Sequence, residues 1–227
     1  MVLSREISVV IPVYNRASLV VEAIESVLSQ PGFTWQIVVV DDGSTDDSNA
    51  AVQQLVTAGK PVTLIRHENN RGVSAARNTA LRLASKPLVG FLDSDDLMTP
   101  GSYEALWQIL NSQPEIDIAH GLREDIPMPG AGQAFARAQT LPAPTLCISG
   151  TLMRAQRVQS TGLFDEDLRR AEDIEWFHRV PDLADRVGLH PEVTLKRRLG
   201  ADNLTGDIDA LRRARLAWVR KHVQANQ

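Results

Sequence analysis

Four short apolar runs, each followed by a helix-like stripe, organise the first hundred residues. Ile7-Ser8-Val9-Val10-Ile11-Pro12 is rich in β-branched side chains and closes on a proline, as a buried strand does when it opens into a loop. Apolar residues then recur at 20, 23, 24, 27 and 28, one face of a helix over Leu19 to Leu28, which Pro31-Gly32 ends. Gln36-Ile37-Val38-Val39-Val40 predicts a second buried strand running straight into Asp41-Asp42-Gly43-Ser44. A helix from about Asp46 to Ala58 follows, with Ser44 or Thr45 as its N-cap. Val62 to Ile65 predicts a third strand. The polar loop His67 to Gly72 leads into a helix over Val73 to Ala84. Leu88-Val89-Gly90-Phe91-Leu92 predicts a fourth strand, and it ends abruptly in Asp93, Asp95 and Asp96.

Strand and helix alternate, so the crossovers should be right-handed and the fold α/β: a Rossmann-like, doubly wound, mostly parallel sheet flanked by helices. The second half is less regular. A helix opens at Pro100 and runs to Ser112, and Ile116 to His120 reads as a strand. Residues 126–145 are dense in Pro, Gly and Ala and predict a long surface loop. Order resumes at Leu146 to Ser149, with a short helix over Arg154 to Ser160 and another carrying Glu172, Asp173 and Glu175. Val193 to Lys196 reads as a late strand. Ile208 to Val223 reads as a basic amphipathic helix, which packs its apolar face on the sheet or touches a membrane surface. No repeat or linker divides the chain, so 1–227 is expected to be a single domain.

Two strand ends carry acids, at 41–42 and 93–96, and parallel strands place both on one rim. Clustered carboxylates repel one another in a core and are tolerated at a strand's mouth, where water or a divalent cation offsets their charge. In open α/β sheets that mouth is where ligands bind. The pattern therefore predicts a metal-assisted site for a phosphorylated ligand, against the plainer reading of turn formers and helix caps.

Composition narrows the classes. At 227 residues, 43% hydrophobic and 23% charged, the chain can bury a full core. A formal net charge of −4 does not favour nucleic acid. The single cysteine, Cys147, excludes an internal disulfide and any Cys-based zinc site. No apolar run approaches the ~20 residues that span a bilayer. Met1 to Arg16 reads as a first strand, not a signal peptide, so a soluble cytoplasmic protein, at most peripheral at a membrane, is expected. No G-x-G-x-x-G follows the first strand, which disfavours a dehydrogenase. No acid follows it either, which disfavours an Asp-nucleophile phosphatase. Pro12-Val13-Tyr14-Asn15-Arg16 lacks the glycines a nucleotidyltransferase needs to hold a triphosphate.

Five segments, in order, resemble family 2 of the glycosyltransferases, enzymes of the GT-A fold. They are SVVIPVYNR (8–16), VVVDDGSTDDS (38–48), NNRGVSAARNTAL (69–81), FLDSDD (91–96) and GLFDEDLRRAEDIEW (162–176). The resemblance implies an inverting, hexosyl- or N-acetylhexosaminyl-type transfer from a nucleotide-diphosphate sugar, UDP-linked, to an acceptor hydroxyl with Mn²⁺ or Mg²⁺. The acceptor is a glycan, a lipid-linked saccharide, a peptide or a small molecule. Residues 1–99 become the nucleotide-sugar half and 100–227 the acceptor half. By the family motifs, Asp95 is the metal ligand, and Asp93 contacts the ribose or helps place the metal, with Ser94 between them at the donor. Asp42 reads the nucleobase, Asp41 is structural, and Pro12 and Tyr14 flank the base. Arg77 approaches the nucleotide or pairs with a nearby acid. Asp173 matches the general base, with Glu172 as runner-up. Trp176 stacks on a sugar or packs in the core.

One departure stands out. The family often carries a histidine after the base helix, where this chain has Arg197-Arg198-Leu199-Gly200. Arg197 or Arg198 can offer charge to a diphosphate but cannot ligate a metal. His178 and His190 are expected at the surface. Leu199 keeps open a second reading, a non-catalytic or partner-dependent nucleotide-sugar-binding protein.

Overall fold

The computed structural model describes residues 2–129 and 146–200. Helix 208–223 and most of the loop read over 126–145 lie outside the described residues. The first half alternates as β1 (Glu6–Val13), α1 (Ala17–Leu28), β2 (Thr34–Asp41), α2 (Ser48–Thr57), β3 (Val62–Arg66), α3 (Val73–Leu81) and β4 (Leu88–Phe91). Then come β5 (Asp96–Met98), α4 (Ser102–Ser112), β6 (Ile118–Pro127), β7 (Thr151–Arg154), α5 (Ala155–Thr161), α6 (Glu172–His178), α7 (Leu183–Arg186) and β8 (Val187–Leu199).

One sheet runs β3-β2-β1-β4-β7-β6-β8-β5. The first four strands are parallel, as expected. Beyond them the sheet is mixed. β7 lies antiparallel between β4 and β6, β6 and β8 are parallel, and β5 is antiparallel to β8 at the edge. The parallel pairing expected from the alternation thus holds throughout the first half and recurs at β6–β8, while the β4–β7, β7–β6 and β8–β5 pairs run antiparallel.

The alternation along each strand sorts the core into two layers. Ile7, Val9, Ile11 and Val13 of β1 meet Val20, Ile24 and Val27 of α1 and Tyr103, Leu106 and Leu110 of α4. Val10, Val38, Val40 and Phe91 project the other way, onto Ala76 and Ala80 of α3, Val158 of α5 and Trp176 and Phe177 of α6. Burial on both faces explains the unbroken Val/Ile runs, each such side chain contributing roughly 1.5–3 kcal/mol. Gly90 is the exception in β4: a Cβ there would lie 2.9 Å from the Tyr103 hydroxyl, so bare backbone makes room for that ring. This packing puts the C-terminal ends of β1, β2 and β4 on one rim, with α6 covering it from the α3 side.

Candidate active site

The rim is built from the acid turn outward. β4 stops at Phe91, and the turn Asp93 to Asp96 is closed by the Asp96 N–H donating to the Asp93 carbonyl at 3.0 Å. Ser149 braces it from beneath: its Oγ accepts the Asp93 N–H at 3.1 Å and donates to Asp96 Oδ2 at 2.9 Å. Asp96 also accepts the Arg198 N–H at 3.3 Å and is buried. Burial first, then the charges of Asp95 and Asp93, push its carboxyl well above the usual range. Asp96 is thus internal structure, starting β5. Ser94 is buried within the turn.

Asp93 and Asp95 keep the open side, with side chains 36% and 20% exposed. Asp95 is raised by burial and by Asp93, against the opposing charge of Arg16, whose Nε lies 3.5 Å from Asp95 Oδ2. The Asp95 carbonyl accepts from the Arg198 guanidinium, which also reaches Glu22 and the Leu19 carbonyl on α1.

The end of β2 forms the second wall. Asp41 Oδ1 accepts the Ser44 N–H at 2.8 Å, a structural turn contact, and its Oδ2 lies 3.6 Å from Arg66 Nε. Asp42 is buried and densely bonded. Its Oδ1 meets His67 Nδ1 at 2.7 Å and the Arg71 N–H at 3.0 Å, and its Oδ2 accepts the Gly72 N–H at 2.7 Å. Gly43 has φ +74°, and a Cβ on it would lie 2.7 Å from the Asn69 carbonyl carbon, so only glycine lets these loops close together. Asn15 ties in the β1 loop by accepting the Thr45 N–H at 2.8 Å. Pro12 is buried at the end of β1, and Tyr14 stands 43% exposed above it.

Helix α6 supplies the third wall. Asp173 is half-buried, and its Oδ1 accepts the Ile174 N–H at 2.8 Å. Burial, then the Glu172 carboxylate, push the Asp173 carboxyl up to about 6, with Arg77 opposing. Glu172 receives Arg77 Nη1 at 2.7 Å, while Arg77 Nη2 reaches Asp93 Oδ1 at 2.7 Å. Arg77 is 3% exposed; burial alone would lower its pKa, but Asp93 and Glu172 more than offset this and hold the guanidinium charged. Glu175 turns away to Arg179 at 2.8 Å.

Of the positions read from the motifs, the structure joins Arg77, Asp93 and Glu172 directly, and it resolves two of the alternatives. Arg77 pairs with acids through both arms, and Trp176 is core: it is fully buried, stacks on Phe164 at 5.6 Å and donates to the Gly162 carbonyl at 2.8 Å. Leu199 is buried in β8 opposite Pro127. Arg197 is bound to Asp125 at 2.9 and 2.6 Å, an acid it shares with Arg123, and Arg198 is held as described, so both of these arginines have partners within the fold. His178 is exposed, and His190 is half-buried with Glu192 at 3.9 Å. The bracing roles of Ser149, Arg16 and His67 have no local signal in the sequence, because their partners lie 53, 79 and 25 residues away.

Two partly buried carboxylates at the rim, Asp93 and Asp95, are hard oxygen donors that would suit a Mg²⁺ or Mn²⁺ ion. Among the described residues no three His, Cys, Asp or Glu side chains converge as a complete metal cage. None of the described helices is long and apolar enough to cross a membrane.

A parallel half-sheet continued by a mixed sheet, with an acid turn at the junction, defines the GT-A class of fold. Solved structures agree. The fold superposes on S. aureus TarS 1-349 in complex with UDP-GlcNAc with a TM-score of 0.75 and 20% identity, over 89% of this chain and 61% of that one. It superposes on the mannosyltransferase PcManGT from Pyrobaculum calidifontis, in complex with GDP-Man and Mn²⁺, with a TM-score of 0.65 and 22% identity, over 85% and 56% of the two chains. Residues 8–137 match Glycosyl transferase family 2, and the chain belongs to that family. An uncharacterized glycosyltransferase of Rickettsia felis is 32% identical over 212 residues, 87% of this chain and 34% of that protein. The chondroitin synthase of Escherichia coli is 25% identical over 183 residues, 78% and 26% of the two. The chain thus spans about a third of the length of the first of these relatives.

Proposed function

We propose that this chain is the donor-binding and catalytic domain of an inverting glycosyltransferase that moves a hexosyl or N-acetylhexosaminyl group from a UDP-sugar to an acceptor hydroxyl. The observation that carries the reading is the meeting of two acid groups across one guanidinium: Arg77 joins Asp93 of the strand-end turn to Glu172 of α6, next to Asp173, a carboxyl that burial pushes up to about 6. A base with a pKa near the working pH combines a useful ionised fraction with real proton affinity.

The residues then divide the work. Asp42 reads the imide N–H of the base, with Pro12 and Tyr14 along its edge. Asp93 and Ser94 hold the ribose side. Asp95, helped by Asp93, holds Mn²⁺ or Mg²⁺, and such an ion, when bound, offsets negative charge on the departing diphosphate. Asp173 takes the acceptor hydroxyl proton as that oxygen bonds to the anomeric carbon. The bond from that carbon to the diphosphate oxygen breaks on the opposite face, and the electron pair leaves with UDP. The sugar inverts in this single displacement. TarS complexes contain UDP and UDP-GlcNAc, and PcManGT contains Mn²⁺, which supports this donor and ion class.

A second reading, nucleotide-sugar binding without transfer, rests on Leu199 in place of the family histidine. Thermal-shift measurements with UDP, UDP-GlcNAc and GDP-mannose, each with and without Mn²⁺, test the first step, and UDP release tests the second. Mn²⁺-dependent stabilisation with UDP release supports transfer, stabilisation without release supports binding alone, and no stabilisation by any donor sinks both.

A further inference from the structure

Helix α6 is short, and its N-terminus is held unusually. It begins after Ala171, a non-glycine residue at φ 59°, and no side-chain hydrogen bond caps it. Its first turn carries Glu172, Asp173 and Glu175. The macrodipole favours acids there, yet Glu172 and Asp173 stand close enough to one another and to Asp93 for their carboxylates to repel. The downstream end is anchored by Trp176 and Phe177 in the core and by Glu175 on Arg179. At the upstream end, the ion pair that reaches across to the rim is Glu172 with Arg77.

Arg77 comes from α3, 95 residues from Glu172 and 16 from Asp93. One planar guanidinium gives Nη1 to the helix and Nη2 to the acid turn, each at 2.7 Å. Its ring-facing side rests 5.5 Å from the centroid of Phe164, the same ring that stacks on Trp176. Two rigid arms fixed to one plane transmit a displacement from either acid to the other, which a lysine ammonium on a flexible stem does not.

We propose that Arg77 is a positioning residue that fixes the start of α6 against the donor turn, so that occupancy at Asp93 sets where Asp173 stands. This rests on the roles of Asp93 and Asp173 proposed above. It differs from a nucleotide ligand: both terminal nitrogens are committed to carboxylates, and the work is done on the helix.

Hydrogen–deuterium exchange over residues 171–179 tests the tether, with Mn²⁺ and UDP as probes. In ligand-free protein, Arg77→Met and Glu172→Ala should each raise exchange in this segment at least tenfold while α1 exchange stays within twofold of wild type. With Mn²⁺ and UDP, the wild-type segment should gain protection. Both variants should still bind UDP within about threefold of wild type but lose that added protection, and Arg77→Lys should recover it only in part. Should Arg77→Met fail to fold, Glu172→Ala alone decides, because it severs only the helix arm. Exchange within twofold of wild type in the folded variants overturns the tether. A loss of UDP affinity in Arg77→Met as large as that in Asp95→Ala overturns it too, making Arg77 a nucleotide ligand. Failure of the wild type to bind Mn²⁺ and UDP counts against the glycosyltransferase reading, while the ligand-free comparison still judges the tether.

Discussion

His67 and Asp42 meet at 2.7 Å in the interior, the imidazole just past the end of β3 and the carboxyl just past the end of β2, and both are nearly excluded from water. The other imidazole nitrogen lies 3.0 Å from the Thr79 hydroxyl. Thr79 thereby links this pair to α3. Losing His67 leaves a buried carboxyl short of a partner, which costs about 1–3 kcal/mol. His67→Ala should lower the urea-denaturation free energy by that amount, and His67→Asn by less, since its amide can still donate. An unchanged midpoint for His67→Ala would show that the two backbone N–H groups hold Asp42 unaided.

Asp95 faces outward in the turn where Asp96 faces inward, so the two substitutions should separate cleanly. A ligand at ~100 times its Kd adds about 2.7 kcal/mol to a protein that binds it only when folded. Asp95→Ala should fold normally and lose the Mn²⁺-dependent shift with UDP. Asp96→Ala should lower thermal stability without any ligand, because Ser149 and the Arg198 N–H then lose their acceptor. Equal ligand-induced shifts in wild type and Asp95→Ala would remove Asp95 from the metal role.

Proton transfer to Asp173 requires its ionised form. With the carboxyl pushed up to about 6, the rate of UDP release should rise with pH, pass half its maximum near that value and level off above it. Asp173→Asn should bind UDP like wild type and release it at least ~100-fold more slowly, within the usual range for a lost acid–base group. A pH profile that stays flat from 5 to 8 in a saturating donor series would exclude this carboxyl as the base.

The same group should weaken the fold. Its folded value is about 6 against an ordinary 3.8, so between these values the folded form holds more protons than the unfolded one. Stability should therefore fall as pH rises through that window, by about 1–3 kcal/mol for a partly exposed carboxyl at 1.36 kcal/mol per unit. Asp173→Asn should be more stable than wild type at pH 8 and equal to it near pH 4, measured by denaturant titration. The reverse order at pH 8 would mean that the ionised form is stabilised where it stands.

The parts legible from residues alone are those whose physics is local. Strands β1, β2 and β4 announce themselves because burial on both faces demands Val and Ile throughout, and acids after such runs must lie at a mouth. Strands β5 and β7 have three and four residues and carry Asp96 and Thr151, so no apolar run marks them; pairing with distant strands creates them. The residues mark strand β8 only over 193–196, yet it runs from Val187 to Leu199, because Gly188 and Pro191 mask a strand that its parallel neighbour β6 holds in place across two irregularities. The fifth motif located α6, yet the guanidinium joining it to the acid turn depends on three residues that no short window contains.

The latch formed by Arg198 bears on how the molecule is made. It grips the Asp95 carbonyl 103 residues upstream, as well as Glu22 and the Leu19 carbonyl near the amino end. During synthesis the early strands can pair as they emerge, and Arg16, Arg77 and Ser149 can hold the acid turn. Until β8 has left the ribosome, however, β5 has no strand partner and the Asp95 carbonyl lacks the Arg198 contact. The part of the rim beside the acid turn is therefore among the last features to mature. A nascent chain stopped short of residue 187 would carry the four parallel strands β1 to β4 with an unfinished rim.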